Sequence, residues 1–128
     1  MKIKQVILIR KDLKMRRGKE IAQGSHASME FLVSRLRSAE QAGVVNLELE
    51  SSEISWLREG TRKICLQVSS EQQLLDIHEK ALGHGLKSHL IRDSGKTEFG
   101  GIPTLTACAI GPDSSDEIDA VTGDLGLY

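Results

Sequence analysis

Aromatic side chains are nearly missing from this chain: one Trp, one Tyr and two Phe in 128 residues. So few rings exclude a nucleic-acid surface built on successive stacking platforms. Cysteine is equally scarce. Cys65 and Cys108 both fall in apolar, strand-like segments without metal-ligand spacing, which reads as buried free thiols in a reducing compartment. The N-terminal MKIKQVILIR holds an apolar run of only four residues, too short for a signal peptide or a membrane span. A cytoplasmic protein with no membrane partner is the expectation. Gly-rich nucleotide loops, zinc spacings and the G-x-S-x-G elbow are lacking too, so the standard nucleotide, metal and serine-hydrolase signatures do not apply. There is no repeat, linker or low-complexity tract.

Basic residues are absent after Lys96, where Glu98, Asp113, Asp116, Glu117, Asp119 and Asp124 are acidic. The first nineteen residues are the converse, with Lys2, Lys4, Arg10, Lys11, Lys14, Arg16, Arg17 and Lys19 against Asp12 alone. A net charge of −1 therefore hides a dipole able to orient a polyanion toward one face. A hydrophobic content of 39% and a charged content of 27% over 128 residues fit one globular domain, residues 1–128, with a single core.

Lys4–Arg10 is a continuous apolar run that reads as a central strand buried on both faces. A helix is expected from about Gly18 to Ala42, stopped by Gly43. On it Lys19, Gln23, His26 and Glu30 form one polar stripe, while Ala22, Ser25, Met29, Leu32, Val33 and Leu36 form the arc expected to face the core. ISWLREG reads as a short helix anchored by Trp56 and Leu57. Arg62–Val68 alternates as a strand. Ser69 or Ser70 then caps a helix that buries Leu74, Leu75, His78, Ala81 and Leu82 and ends at Gly83-His84-Gly85. Ser88–Ile91 and Thr104–Ile110 are further strands. Gly111-Pro112 should break the last of these, and Ser114 with Glu117 should cap a final helix. This order predicts an α/β fold: a three-layer α/β/α sandwich around a small four-stranded mixed sheet, its first three strands parallel to one another.

The loop Arg92–Pro103 leaves the third strand at its C-terminal end, where open α/β sheets place ligands. The first strand delivers Asp12 through Lys19 to the same edge, so Lys19 and His26 are expected to meet Asp93 and Thr97 there. A lysine at a helix start opposes the helix dipole, which favours a ligand-facing role. His26 suits proton transfer by its residue type. Asp93 serves equally as a turn former or as an orienting carboxylate.

Arg10 through Lys19, RKDLKMRRGK, followed by Gln23, Ser25, His26 and Ala27, resembles the signature of the type II peptidyl-tRNA hydrolase family. Ile91 through Glu98, IRDSGKTE, resembles that family's second motif, and Thr104, Thr106 and Ala109-Ile110-Gly111-Pro112 its third. The match covers essentially the whole chain. It implies hydrolysis of the ester joining peptide to tRNA, with peptidyl-tRNA as partner, a homodimer, and no metal or organic cofactor. It also implies catalytic roles for Lys19, His26, Asp93, Thr97 and Thr106, and substrate binding by Lys14, Arg16, Arg17 and Gln23. The chain departs from the pattern at Glu98, where the family has glutamine, in the link 99–103, and at Glu20 and Ile21, which replace small residues. The rival reading is a non-catalytic RNA- or protein-binding module on the same fold.

Overall fold

Four strands set the frame of the computed structural model, which describes residues 2–39, 43–96 and 98–128. They are β1 (Ile3–Arg10), β2 (Lys63–Val68), β3 (Ser88–Asp93) and β4 (Thr104–Ser114), in the order β2-β1-β4-β3. β1 pairs with β2 in parallel, and β4 lies antiparallel between β1 and β3. The first three strands therefore share one direction, as expected. Helices α1 (Arg17–Ser38) and α2 (Ser51–Arg58) cover one face, with α3 (Glu71–Gly83) and α4 (Ser115–Thr122) on the other. The three-layer α/β sandwich is thus observed. Among the described residues no helix is long and apolar enough to cross a membrane.

Strand alternation divides the core. Val6, Leu8, Leu66, Val68, Cys108 and Ile110 meet Leu74, Ile77 and Ala81 of α3 and Ile118 and Val121 of α4. This side supplies most of the hydrophobic driving force, and the few polar groups it buries are paired, as Ser88 Oγ is with His78 Nδ1 at 2.6 Å. The opposite face brings Ile7, Ile9, Ile91, Ala107 and Ala109 against Ala27 of α1 and Met15.

The expected buried arc of α1 is turned the wrong way. Gln23, Ala27, Ser28 and Phe31 are buried, whereas Ala22, Ser25, Met29 and Leu36 are exposed and Leu32 and Val33 are half-buried. The reason is that the sheet offers α1 polar groups that need partners. The Ser28 hydroxyl donates to Gln5 Oε1 at 2.6 Å, and Gln5 Nε2 donates to the Ser28 carbonyl at 2.9 Å. An unpaired buried amide costs about 1–3 kcal/mol, comparable to burying one aliphatic side chain, so polar matching sets the helix rotation.

Smaller corrections follow the same physics. Glu40–Ala42, the expected end of α1, lie outside the described residues. In α2 Trp56 is buried but Leu57 is exposed. In α3 Ile77 is buried while Leu82 is exposed, and Ser70 is the residue whose side chain caps, accepting from the Gln73 N–H. Gly111-Pro112 does not end β4, because a bulge opposite Gln5 absorbs both residues and pairing resumes at Lys4↔Asp113. Ser114 precedes α4 without a side-chain cap bond. Cys108 is buried as expected, but Cys65 is exposed on β2. The tail adds to the outer edge of β2: Gln67 N–H donates to the Gly126 carbonyl at 3.0 Å, and Tyr128 N–H to the Cys65 carbonyl at 3.1 Å.

One ion pair ties α1 to α2. Glu53 is completely buried, and Arg35 donates to both its oxygens at 2.9 and 2.7 Å. Burial alone would raise the Glu53 carboxyl. The Arg35 bonds, the Glu50 N–H and nearby positive charge outweigh it and hold the group below its ordinary range. Its contribution to stability is therefore present above the ordinary carboxylate pKa and lost as pH falls through the folded value. Arg35→Met should cost about 2–3 kcal/mol at pH 7 by leaving a buried charge unpaired. Urea melts should show that deficit shrinking toward pH 4, where protonation relieves the orphaned carboxylate. A deficit independent of pH would assign the loss to packing alone.

Candidate functional site

The site forms where β1 and β3 end together. Beyond Arg10 the chain makes a single 3-10 turn, passes Lys14 in the left-handed region at φ 51°, and enters α1 at Arg17. This places Lys19 and Gln23 on successive turns above the sheet. From the other side β3 ends on Asp93. Lys19 Nζ donates to Asp93 Oδ1 at 2.8 Å, and Gln23 Nε2 donates to the same oxygen at 3.3 Å. Asp93 Oδ2 accepts from the Gly95 N–H at 2.9 Å.

Gly95 is required by its surroundings. Its φ is +81°, and a Cβ there would lie 2.3 Å from the Ile102 carbonyl oxygen. The loop folds back tightly at that point, with Gly101 N–H donating to the Gly95 carbonyl at 3.0 Å. Phe99 packs beside the core cluster under α1, its ring centroid 6.0 Å from Lys19 Nζ.

Thr106 joins by a different device. β3 and β4 shift register between Ile91↔Ala107 and Arg92↔Leu105, so Thr106 is the extra residue of a bulge. Bulges re-aim side chains, and here the Thr106 hydroxyl donates to Gln23 Oε1 at 2.5 Å. Gln23 and Thr106 are both fully buried. A continuous chain results: Lys19 and Gln23 converge on Asp93, and Thr106 fixes which way the Gln23 amide faces.

The structure thus brings Lys19, Gln23, Asp93 and Thr106 together. It leaves His26 outside this network, exposed, in a separate depression with Glu30, Arg37, Leu90, Ile91 and Arg92. Thr97 lies outside the described residues. Lys14, Arg16 and Arg17 are exposed beside the site, and Arg16 donates to Glu98 Oε1 at 3.0 Å. The second departure from the motif, Glu20, accepts from the Tyr128 hydroxyl at 2.6 Å. Both extra carboxylates are therefore engaged locally. Phe99 was missed by residue-level reading, since its place over Lys19 depends on the loop's fold. Among the described residues no group of three or more His, Cys, Asp or Glu is arranged to hold a metal ion.

The Lys19 hydrogen bond is the foremost cause holding the Asp93 carboxyl below its ordinary range. Burial opposes it, while the Gly95 N–H, the lysine charge and Gln23 add to it. Asp93 is consequently a fixed anion at neutral pH, able to orient a donor but poorly suited to keep a proton.

Fold and site together define an open-sheet α/β protein with a preorganised, charge-paired centre at the ends of its parallel strands. The chain belongs to the peptidyl-tRNA hydrolase PTH2 family, whose model matches residues 3–128. It is 42% identical over 125 residues to a peptidyl-tRNA hydrolase of Methanocaldococcus jannaschii, covering 98% of this chain and 99% of that one. A peptidyl-tRNA hydrolase of Methanopyrus kandleri is 45% identical over 124 residues, 97% of each chain. One from Nanoarchaeum equitans is 40% identical over 126 residues, covering 98% and 99%.

The electrostatic assignment is directly measurable. In carboxyl NMR titrations Asp93 should titrate below the ordinary value of about 3.9, and Lys19→Met should move it to that value or above. An Asp93 that titrates identically in both proteins would show that Lys19 is not what holds it ionised.

Proposed function

We propose that this protein hydrolyses the ester between a peptide and the terminal ribose of tRNA, returning free tRNA to translation in the cytoplasm. The observation that carries this reading is the bonded cluster Lys19–Asp93–Gln23–Thr106 in a chain matching the family almost end to end. In the reaction a water oxygen bonds to the ester carbonyl carbon, and the carbonyl oxygen takes up negative charge. Lys19 stands ready as the cation for that oxyanion. Asp93 accepts a hydrogen bond from the attacking water through the open side of Oδ2 and directs its lone pair. The bond to the ribose oxygen then breaks, and that oxygen takes up a proton given up by the attacking water, giving a free peptide carboxyl and a ribose hydroxyl. Thr106 and Gln23 are positioning residues, since Thr106 acts only through the amide it orients. Thr97, by its place in the motif, is a further donor to the carbonyl or ribose. Exposed Lys14, Arg16 and Arg17 supply phosphate contacts for the tRNA.

The protein further acts as a homodimer. Support comes from the exposed apolar side of α1, where Ile21 is 65% and Met29 57% exposed, because monomers seldom leave such a stripe uncovered. Light scattering should return twice the chain mass, and Met29→Glu with Leu36→Lys should halve it; an unchanged mass in the double variant would move the interface elsewhere.

The catalytic reading rests on turnover of N-blocked aminoacyl-tRNA. Lys19→Ala and Asp93→Asn should each lower kcat by about a hundredfold or more. If the pair acts as one unit, the double variant should be little worse than the poorer single one. Losses that simply multiply would give the two residues independent roles, and wild-type turnover in either single variant would remove that residue from the mechanism.

A further inference from the structure

α1 and β3 enclose a second polar depression next to the catalytic cluster, about 270 Å³, lined by His26, Glu30, Arg37, Leu90, Ile91 and Arg92. Arg92 immediately precedes Asp93, and His26 lies seven residues beyond Lys19 on the same side of α1, about 10 Å along the helix. The depression therefore lies beside the reaction site, along the same helix and strand. Its charge is predominantly positive, with Arg92 and Arg37 against the one carboxylate of Glu30 and the His26 imidazole as a further donor.

That carboxylate is only loosely committed. Glu30 Oε1 stands 3.8 Å from Arg37 Nη1, at the outer limit of an ion pair, and Arg37 is largely exposed. The side chains of Arg92 and His26 make no hydrogen bond or ion pair with another described residue. A structural arginine at a strand end would be engaged by a carboxylate or carbonyl, as Arg10 is by Asp12 and the Leu105 carbonyl. Arg92 has no such engagement, although it flanks the most highly organised carboxylate in the molecule.

We infer that this depression is a phosphodiester subsite, in which Arg92 and His26 hold a phosphate of the substrate RNA just behind the terminal ribose. The inference rests on the peptidyl-tRNA reading above and extends it from the ester to the RNA strand that presents it. Planar guanidinium and imidazole donors suit a phosphate's oxygens, and each such contact releases counterions from the RNA. A peptide lying here would offer Arg92 no obligatory anion, because peptide sequence varies from substrate to substrate. The subsite gives His26 the task of a hydrogen-bond donor to phosphate rather than of a proton carrier. Glu30 weakens the phosphate contact and so favours release of the product tRNA.

The test compares the intact chain with Arg92→Ala and His26→Lys, at exposed positions, and Glu30→Gln, at a half-buried one, each checked for unchanged thermal stability. With N-blocked aminoacyl-tRNA, Arg92→Ala should raise KM about fivefold, keep kcat within about twofold, and reduce the salt slope of kcat/KM by roughly one. Glu30→Gln should lower KM. His26→Lys should lower KM, because lysine sets a permanent cation where the imidazole stands. Anisotropy with deacylated tRNA should show the same order of affinities. This arm involves no turnover, so loss of the hydrolase reading would leave the subsite still measurable. Equal affinities and salt slopes for all four proteins would overturn the subsite. So would a His26→Lys variant whose kcat falls as far as that of Asp93→Asn, or a KM effect that follows peptide length rather than salt.

Discussion

Three donors from two pieces of chain reach one carboxylate. Asp93 receives the ammonium of Lys19 and the amide of Gln23 from α1, and the N–H of Gly95 from its own loop. Each donor is delivered by a different structural necessity: the helix start after β1, a buried face that tolerates glutamine, and a turn that only glycine can make. Remove the carboxylate and the lysine loses its anchor, the amide its orientation, and the loop its tie to the sheet. The charged pair is largely buried, with 15% of the lysine side chain and 12% of the aspartate side chain exposed, so neither partner is free to wander into solvent. Such restraint is what electrostatic preorganisation demands, because groups already in place need not reorganise when charge develops.

The polar lining of α1's inner face follows from the same demand. A helix turned to bury Met29, Leu32 and Leu36 would have gained apolar area, yet it would have pointed Lys19 and Gln23 into water. The opposite choice leaves Gln5, Ser28, Gln23 and Thr106 paired across the helix–sheet boundary. It also leaves the predominantly apolar side, under α3 and α4, to carry the bulk of the hydrophobic stabilisation. One layer of the sandwich stabilises, while the other holds the chemistry.

How much of this was legible beforehand depended on the kind of signal. Strand runs such as VILI and the alternation of Ile64, Leu66 and Val68 are local patterns, and they placed the sheet and its parallel core. Parallel direction was enough to bring Lys19 to Asp93 across 74 positions. The rotation of α1 was not legible, because periodicity ranks side chains by apolarity and cannot see that Gln5 on another strand needs a partner. Thr106 entered only by family resemblance; its reach to Gln23 depends on a bulge, which no local pattern announces. His26 shares a helical stripe with Lys19, but a stripe says nothing of which strand lies opposite each turn. Gly111-Pro112 misled because a dipeptide that usually stops a strand was absorbed by the bulge opposite Gln5.

The two margins of the sheet are finished differently. Along β2 the last three residues add a further row of main-chain bonds, and the Tyr128 hydroxyl fastens that row to Glu20. Along β3 no strand lies outside among the described residues. Growth of sheets into fibrils needs two free margins per molecule, one to accept and one to offer. Here residues 126–128 cover part of the β2 margin, so the longer bare margin among the described residues is the one along β3. The chain can therefore keep a bare strand beside its charge-paired centre while the opposite margin is partly covered, which lowers the risk of polymerisation through both edges.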